Sequence, residues 1–212
     1  MIVTEAVARY TEGLRAEPDP VLAEMERHAA REGVPIVVPQ TGALLHVLAL
    51  ACQASRIVEV GTAIGVSTLY LARALPAGGK ITSFEIDGER HETARRYLER
   101  AGVLDRCELR LQDAREGLSQ LEEEFDFAFI DGAKTQYGGY FEQLLPRLRG
   151  GGLLAVDNAL MGGTVAEGRG DGEWADDQVQ SVRAFNERLL RGGDLTGTVT
   201  PVGDGVLIAV KR

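Results

Sequence analysis

The spacing of hydrophobic positions changes along the chain, and each spacing predicts an element. Over residues 1–34, Tyr10, Leu14, Leu22, Met25 and Ala29 recur at partly helical intervals. Helix is expected there, broken at Pro18 and Pro20. Ile36-Val37-Val38-Pro39 reads as extended, and Thr41-Gly42 then opens an apolar helix from Ala43 to Ala54. Short apolar runs follow, predicting strands at Arg56–Gly61, Lys80–Glu85, Cys107–Gln112, Phe125–Ile130 and Gly152–Asp157. Between them fall helices at Val66–Leu75, stopped by Pro76 and Gly78-Gly79, at Gly88–Ala101, closed by Gly102, and at about Tyr137–Leu148. Strands alternating with helices build a parallel sheet covered on both faces, an α/β fold.

The C-terminal part breaks this alternation. A helix at about Asp177–Leu190 precedes two strands, Thr196–Val202 and Val206–Lys211. Gly203-Asp204-Gly205 joins them, which reads as a tight antiparallel hairpin. Met161–Trp174, rich in Gly and acidic residues, is the one loop expected to be mobile. It is either an ordinary surface loop or a lid near the substrate. No internal repeat is visible.

A chain of 212 residues fits a single domain, 1–212, with a helical cap over 1–54 and a Rossmann-like core over 55–212. Apolar residues at 44% and charged residues at 26% are the profile of a globular protein. No apolar stretch approaches a bilayer span, and Met1-Ile-Val-Thr-Glu-Ala lacks the basic and apolar regions of a secretory signal. A cytoplasmic location, away from membranes, is expected. Cys52 and Cys107 have no metal-ligand spacing and are expected as buried free thiols. The formal charge of −9 counts against a generic nucleic-acid coat protein, since phosphate binding rests on Lys and Arg.

The chemistry collects at the strand ends. In an open parallel sheet, ligands bind beyond the carboxyl ends of the strands. The predicted strands end in Gly61, Glu85, Asp113, Asp131 and Asp157-Asn158. One acid at such a place is commonly a helix cap; five strands with this ending favour a site. Gly61 and Gly65 in Glu59-Val-Gly-Thr-Ala-Ile-Gly65-Val-Ser67 allow a sharp turn close to a ligand. The turn is not a full GxGxxG. Glu85 at the next strand end can accept hydrogen bonds from both hydroxyls of a ribose. A nucleoside cofactor without a close phosphate cradle fits these features, S-adenosylmethionine better than NAD. Asp131, Asp157 and Asn158, with Lys134 nearby, form an oxygen set that suits a hard cation such as Mg²⁺. His28, His46 and His91 are isolated and read as structural or surface residues.

Val58-Glu-Val-Gly-Thr-Ala-Ile-Gly-Val-Ser67, Phe129-Ile-Asp-Gly-Ala-Lys134, Val156-Asp-Asn-Ala-Leu160 and Pro201-Val-Gly-Asp-Gly205 resemble the catechol and caffeoyl-CoA O-methyltransferase family, over roughly residues 35–212. The resemblance implies a Rossmann-like class I methyltransferase fold, with a seven-stranded, mostly parallel sheet completed by the hairpin, and a homodimer. It implies Asp131, Asp157 and Asn158 as metal ligands and Lys134 as the catalytic lysine beside the reacting hydroxyl. For the cofactor it implies Glu59, Gly61 and Ser67 in the first turn, Glu85 at the ribose, Asp113 and Ala114 at the adenine, Asp131, and Val37 from the N-terminal segment. Val34-Pro35-Ile36, Ala133-Lys134, Gln136-Tyr137 and the Leu160–Glu167 pattern look closer still to bacterial transfer-RNA 5-hydroxyuridine methyltransferases. Where that group implies a basic stretch after Glu167, this chain has Gly170-Asp-Gly-Glu-Trp-Ala-Asp-Asp177.

These residues lead to an S-adenosylmethionine-dependent, metal-assisted O-methyltransferase. A hydroxyl with a neighbouring oxygen chelates the cation, which acidifies and orients it, and Lys134 takes the proton. A catechol-like small phenol offers such a pair, and so does 5-hydroxyuridine in transfer RNA. The rival readings are an NAD-dependent oxidoreductase, which calls for a fuller glycine fingerprint, and a non-catalytic cofactor-binding interaction protein, which the metal set and Lys134 speak against.

Overall fold

In a computed structural model that describes residues 4–212, the N-terminal stretch divides into α1 (Glu5–Gly13) and α2 (Pro20–Glu32). Residues 1–3 of the expected helical stretch lie outside the described residues. Asp19 accepts hydrogen bonds from the N–H groups of Val21 and Leu22 at 3.1 and 3.3 Å. Pro20 stands at the start of α2, where its missing N–H leaves no bond unmade. Leu22, Met25 and Ala29 form the buried side of α2. α1 buries nothing, and Val7, Tyr10 and Leu14 are exposed.

α3 (Pro39–Ala51) begins earlier than the sequence pattern implied. Pro39 starts it, again as an N-terminal proline. Gly42 lies inside the helix, not at its opening, and its role is close packing: a Cβ there would overlap the Tyr70 ring. The alternation then runs β1 (Arg56–Val60), α4 (Val66–Ala74), β2 (Lys80–Glu85), α5 (Gly88–Arg100), β3 (Cys107–Leu111), α6 (Ala114–Gly117), β4 (Phe125–Ile130), α7 (Tyr137–Leu144) and β5 (Leu148–Val156). α7 ends before Pro146, which cannot continue a helix. β5 starts at Leu148, ahead of the expected Gly152, and pairs with β4 through a register shift between Phe125 and Phe127. The last elements are α8 (Thr164–Glu167), α9 (Asp176–Arg191), β6 (Leu195–Thr200) and β7 (Val206–Lys211).

The seven strands form one sheet in the order β3-β2-β1-β4-β5-β7-β6. The first five are parallel, and β7 runs against both β5 and β6. The hairpin is antiparallel as expected, but Thr200 pairs with Val206, so its connection is the whole of Pro201–Gly205 and wider than a tight turn. Alternate residues of each strand enter different layers. Ile57, Phe127, Phe129, Leu153 and Ala155 pack with α2, α3, α4 and α5. Val58, Val60, Ala128, Ile130, Leu154 and Val156 pack with α7 and α9. The first half of Met161–Trp174 is built, a 3-10 turn leading into α8 with Thr164 and Val165 buried, while residues 168–174 form a loop without regular structure. Among the described residues no helix is long and apolar enough to cross a membrane.

Candidate active site

The strand order reverses between β1 and β4, and a crevice opens there at the carboxyl ends. Its floor is the turn after β1. Gly61 has φ +99, and a Cβ on it would overlap the carbonyl oxygen of Asp131. Only glycine lets the ends of β1 and β4 come this close. Gly65, at φ +92, starts α4, and a Cβ there would stand 3.2 Å from Ala94. The cleft above this turn measures about 420 Å³.

Val37, Gly61, Ser67, Glu85, Asp113, Ala114, Asp131 and Lys134 all border this one cleft. They come from five segments of the chain: the stretch before α3 and the ends of β1, β2, β3 and β4. The Glu85 carboxylate is oriented by backbone donors: Ala63 N–H at 2.7 Å on Oε2, and Ile86 and Asp87 N–H at 2.9 and 3.0 Å on Oε1. A carboxylate has about four acceptor sites, so capacity remains on the cleft side. Asp113 caps α6 through Arg115 N–H at 2.9 Å. The Arg115 guanidinium beside it holds its carboxyl below the ordinary value.

Glu59 lies apart from the other residues expected at the cofactor. It has no exposed surface and does not border the cleft. It lies beneath the turn, where Oε2 accepts from Thr68 Oγ1 at 2.5 Å and Ser83 Oγ at 2.6 Å. Ser83 in turn bonds Thr62 of the turn at 2.5 Å. Burial pushes the Glu59 carboxyl up to about 7, against the opposing pull of the Ser67, Ser83 and Thr68 hydroxyls. The alternation of β1 explains this: Glu59 faces inward, and its influence on the cleft passes through its hydroxyl neighbours.

The other end of the site lies at the ends of β4 and β5. Lys134 Nζ donates to Asp131 Oδ1 at 2.9 Å and to the Gly132 carbonyl at 3.3 Å. Asp157 and Asn158 follow β5, whose neighbour in the sheet is β4. Both are buried, and Asp157 Oδ1 and Asn158 Oδ1 accept no hydrogen bond within the protein. Burial, and then the charge of Asp131, raise the Asp157 carboxyl above its ordinary value. Asn158 takes φ +56, a left-handed conformation that Asn tolerates better than most residues. Tyr137 is fully buried and donates to the Asp157 carbonyl at 3.1 Å. Among the described residues no three His, Cys, Asp or Glu side chains gather as a cation cage; the third donor in the expected set is an amide oxygen.

Three residues at or near the cleft were not singled out from the sequence. Ile86 is 74% exposed, an apolar side chain left open where it borders the cleft. Tyr140 donates to Gln136 Oε1 at 2.5 Å within the cleft wall. Trp174, from the acidic segment before α9, puts its ring 6.0 Å from Lys134 Nζ, and Tyr137 lies 5.4 Å away. The place of Ile86 directly after the ribose-type acid was a usable signal; the approach of Trp174 was not, since it depends on how α9 packs. None of the three histidines borders the cleft; they sit against Tyr97, Tyr70 and Leu109. Cys52 and Cys107 are free and half-buried. Burial pushes the Cys107 thiol up to about 12, far from a nucleophile's range.

This sheet order, with a nucleoside-type cleft over the β1 turn, defines a class I S-adenosylmethionine-dependent methyltransferase. Solved structures agree. The O-methyltransferase from Bacillus cereus in complex with SAH superposes with a TM-score of 0.86 at 32% identity, covering 98% of this chain and 97% of that one. TomG from Streptomyces achromogenes, involved in tomaymycin synthesis and in complex with SAM, gives 0.84 at 32% identity, covering 98% and 96%. The O-methyltransferase family model matches residues 13–212. The catechol O-methyltransferase of Niastella koreensis is 34% identical over 221 aligned positions, 99% of this chain and 98% of the relative. The chain belongs to the O-methyltransferase family, and its activity is S-adenosylmethionine-dependent O-methylation.

Proposed function

We propose that the acceptor is a small catechol-like phenol and that methylation is assisted by a divalent cation such as Mg²⁺, held by Asp131, Asp157 and Asn158. The observation that carries this reading is the pair of buried oxygens, Asp157 Oδ1 and Asn158 Oδ1, without a hydrogen-bond donor. Buried acceptors left unpaired are costly, and a hard cation satisfies them. Two carboxylates and an amide oxygen form a donor set of the kind Mg²⁺ takes.

Val37, Gly61, Ser67, Glu85, Asp113, Ala114 and Asp131 hold the cofactor in this reading, with Glu85 accepting from the ribose hydroxyls. When bound, S-adenosylmethionine supplies an electrophilic methyl group and the cation draws down the pKa of the hydroxyl. Lys134 Nζ, beside Asp131 and only 12% exposed, is the proton acceptor of this reading: a cation taking over Asp131 would break the ion pair and favour loss of the ammonium proton to solvent, and the neutral amine then takes the hydroxyl proton. The buried walls around Tyr137 and Tyr140 limit water and fix the acceptor's direction, which is the main requirement of an in-line displacement.

The charge near Lys134 favours a small phenol over transfer RNA. Trp174 brings the segment carrying Asp171, Glu173, Asp176 and Asp177 to the site, and such carboxylates repel a phosphate backbone. The test is labelled cofactor with a catechol panel and, separately, with hypomodified transfer RNA, each with and without a chelator. Label is expected in catechols, lost with chelator and restored by Mg²⁺. Asp157→Ala should lower turnover by about 100-fold or more with the fold retained. Full activity in chelator would remove the cation from the mechanism. Label confined to transfer RNA would hand the acceptor site to 5-hydroxyuridine.

A further inference from the structure

The Pro201–Gly205 connection between β6 and β7 lies far from the cofactor turn in sequence, yet it touches both ends of the cleft's frame. On one side it continues the β5–β7 ladder around a corner. Ala159 N–H donates to the Gly205 carbonyl at 2.8 Å, and Leu160 and Met161 N–H both donate to the Asp204 carbonyl at 2.8 and 2.9 Å. These are the backbone donors immediately after Asn158. Without them that segment would be an unpaired strand end, and two of its non-glycine residues, Asn158 at φ +56 and Met161 at φ +46, are in the left-handed region. Such conformations persist where surrounding bonds over-determine them. On the other side, Gly203 abuts the start of α3, directly after the cofactor-bordering Val37.

The two glycines are closely packed, Gly205 against backbone and Gly203 against side chains. Gly205 has φ +86, and a Cβ on it would stand 2.5 Å from Leu160 Cγ and 2.7 Å from Leu160 N. Gly203 has φ +57, and a Cβ would stand 2.8 Å from Thr41 Oγ1 and 2.9 Å from Val38 Cγ2. A side chain at 205 therefore displaces the segment behind Asn158. A side chain at 203 presses on the Val38 and Thr41 side chains at the start of α3.

We propose that the Pro201–Gly205 turn is a positioning element of the active site: through Asp204 and Gly205 it fixes the Asp157-Asn158 end, through Gly203 it fixes the Val37-Val38 end, and so it sets the spacing between acceptor and cofactor. The reading of Asp157-Asn158 as the acceptor end rests on the proposed function; the cofactor side does not.

Three full-length variants test this. Gly203→Ala, Gly205→Ala and Gly78→Ala each place alanine at a positive φ, but Gly78, at φ +80, has nothing within 4 Å. It is the control for backbone strain alone. Gly205→Ala is expected to lower kcat on a catechol about tenfold or more while the Kd for S-adenosylhomocysteine stays within about twofold. Gly203→Ala is expected to raise that Kd about fivefold or more. Gly78→Ala should leave both near wild type at a similar loss in Tm. If all three variants behave alike, or if activity and affinity merely follow Tm, the turn is structural only and the proposal falls. Should Gly205→Ala fail to fold, amide exchange in the wild type decides that side: protection of Ala159, Leu160 and Met161 is expected, and exchange at open-loop rates overturns it. A wild type inactive on every phenol would refute the proposed acceptor, while the nucleoside Kd of Gly203→Ala would still judge the turn.

Discussion

Glu59 is the residue whose placement most changes its meaning. It lies fully buried in β1 with one carboxylate oxygen unpartnered. Burial disfavours the charged form, which lifts the carboxyl from 4.5 to about 7. Its folded value is therefore above its unfolded value. The stability it contributes is whole below about pH 4.5 and is lost as the pH rises through about 7. The loss is about 3 kcal/mol. Glu59→Gln cannot ionise, so its urea-unfolding free energy should fall less than that of the wild type between about pH 5 and about pH 8. Parallel curves for the two proteins would show that no buried proton is held there. In the sequence, Glu59 stands beside Gly61 and looks like part of the ligand turn. Period-2 alternation places it on the face opposite Val58 and Val60, but what covers each face is not written in the strand itself.

At the scale of elements, Asp126 at the start of β4 ties three strands together at the end of the sheet away from the cleft. It accepts from Ser55 N–H at 2.8 Å, Ser55 Oγ at 2.9 Å, Arg56 N–H at 2.8 Å and Arg149 Nε at 2.6 Å. Burial pushes its carboxyl up, but the Arg149 guanidinium and the donors of Ser55 and Arg56 outweigh that and bring it down to about 2. Its folded value is depressed, so the stability it confers is present above pH 3.8 and lost as the pH falls through about 2. The contribution is about 2 kcal/mol. Asp126→Asn, which turns an amide N–H₂ toward donors, should cost about 2–3 kcal/mol in neutral denaturant titrations. The cost should vanish in strong acid; a variant as stable as wild type near neutrality would remove Asp126 from the sheet's support. Element boundaries tell a similar story. Pro146 ends α7 by a local rule visible in the sequence, whereas Gly42 looked like a helix opener and proved to be a packing glycine against Tyr70.

At the scale of the molecule, the helical cap and the core share one apolar layer. Leu22, Met25, Leu45 and Ala49 belong to the same buried cluster as Ile57, Leu69 and Phe127. The expected single domain therefore predicts one cooperative thermal transition, with calorimetric and van't Hoff enthalpies in agreement. A separate early transition would divide residues 1–54 from the rest. By itself the sequence determined the alternating strands and helices, the reversed final hairpin, the glycine turn after β1 and the acids at the strand ends. Those are local facts, written in hydrophobic period and in the few residues that tolerate sharp turns. Tertiary structure alone decided that Glu59 lies under the turn and not in the cleft. It also decided that Trp174 flanks Lys134, and that the β6–β7 connection grips the segment after Asn158. Each of these depends on which distant surfaces are packed together, and no local period records that choice.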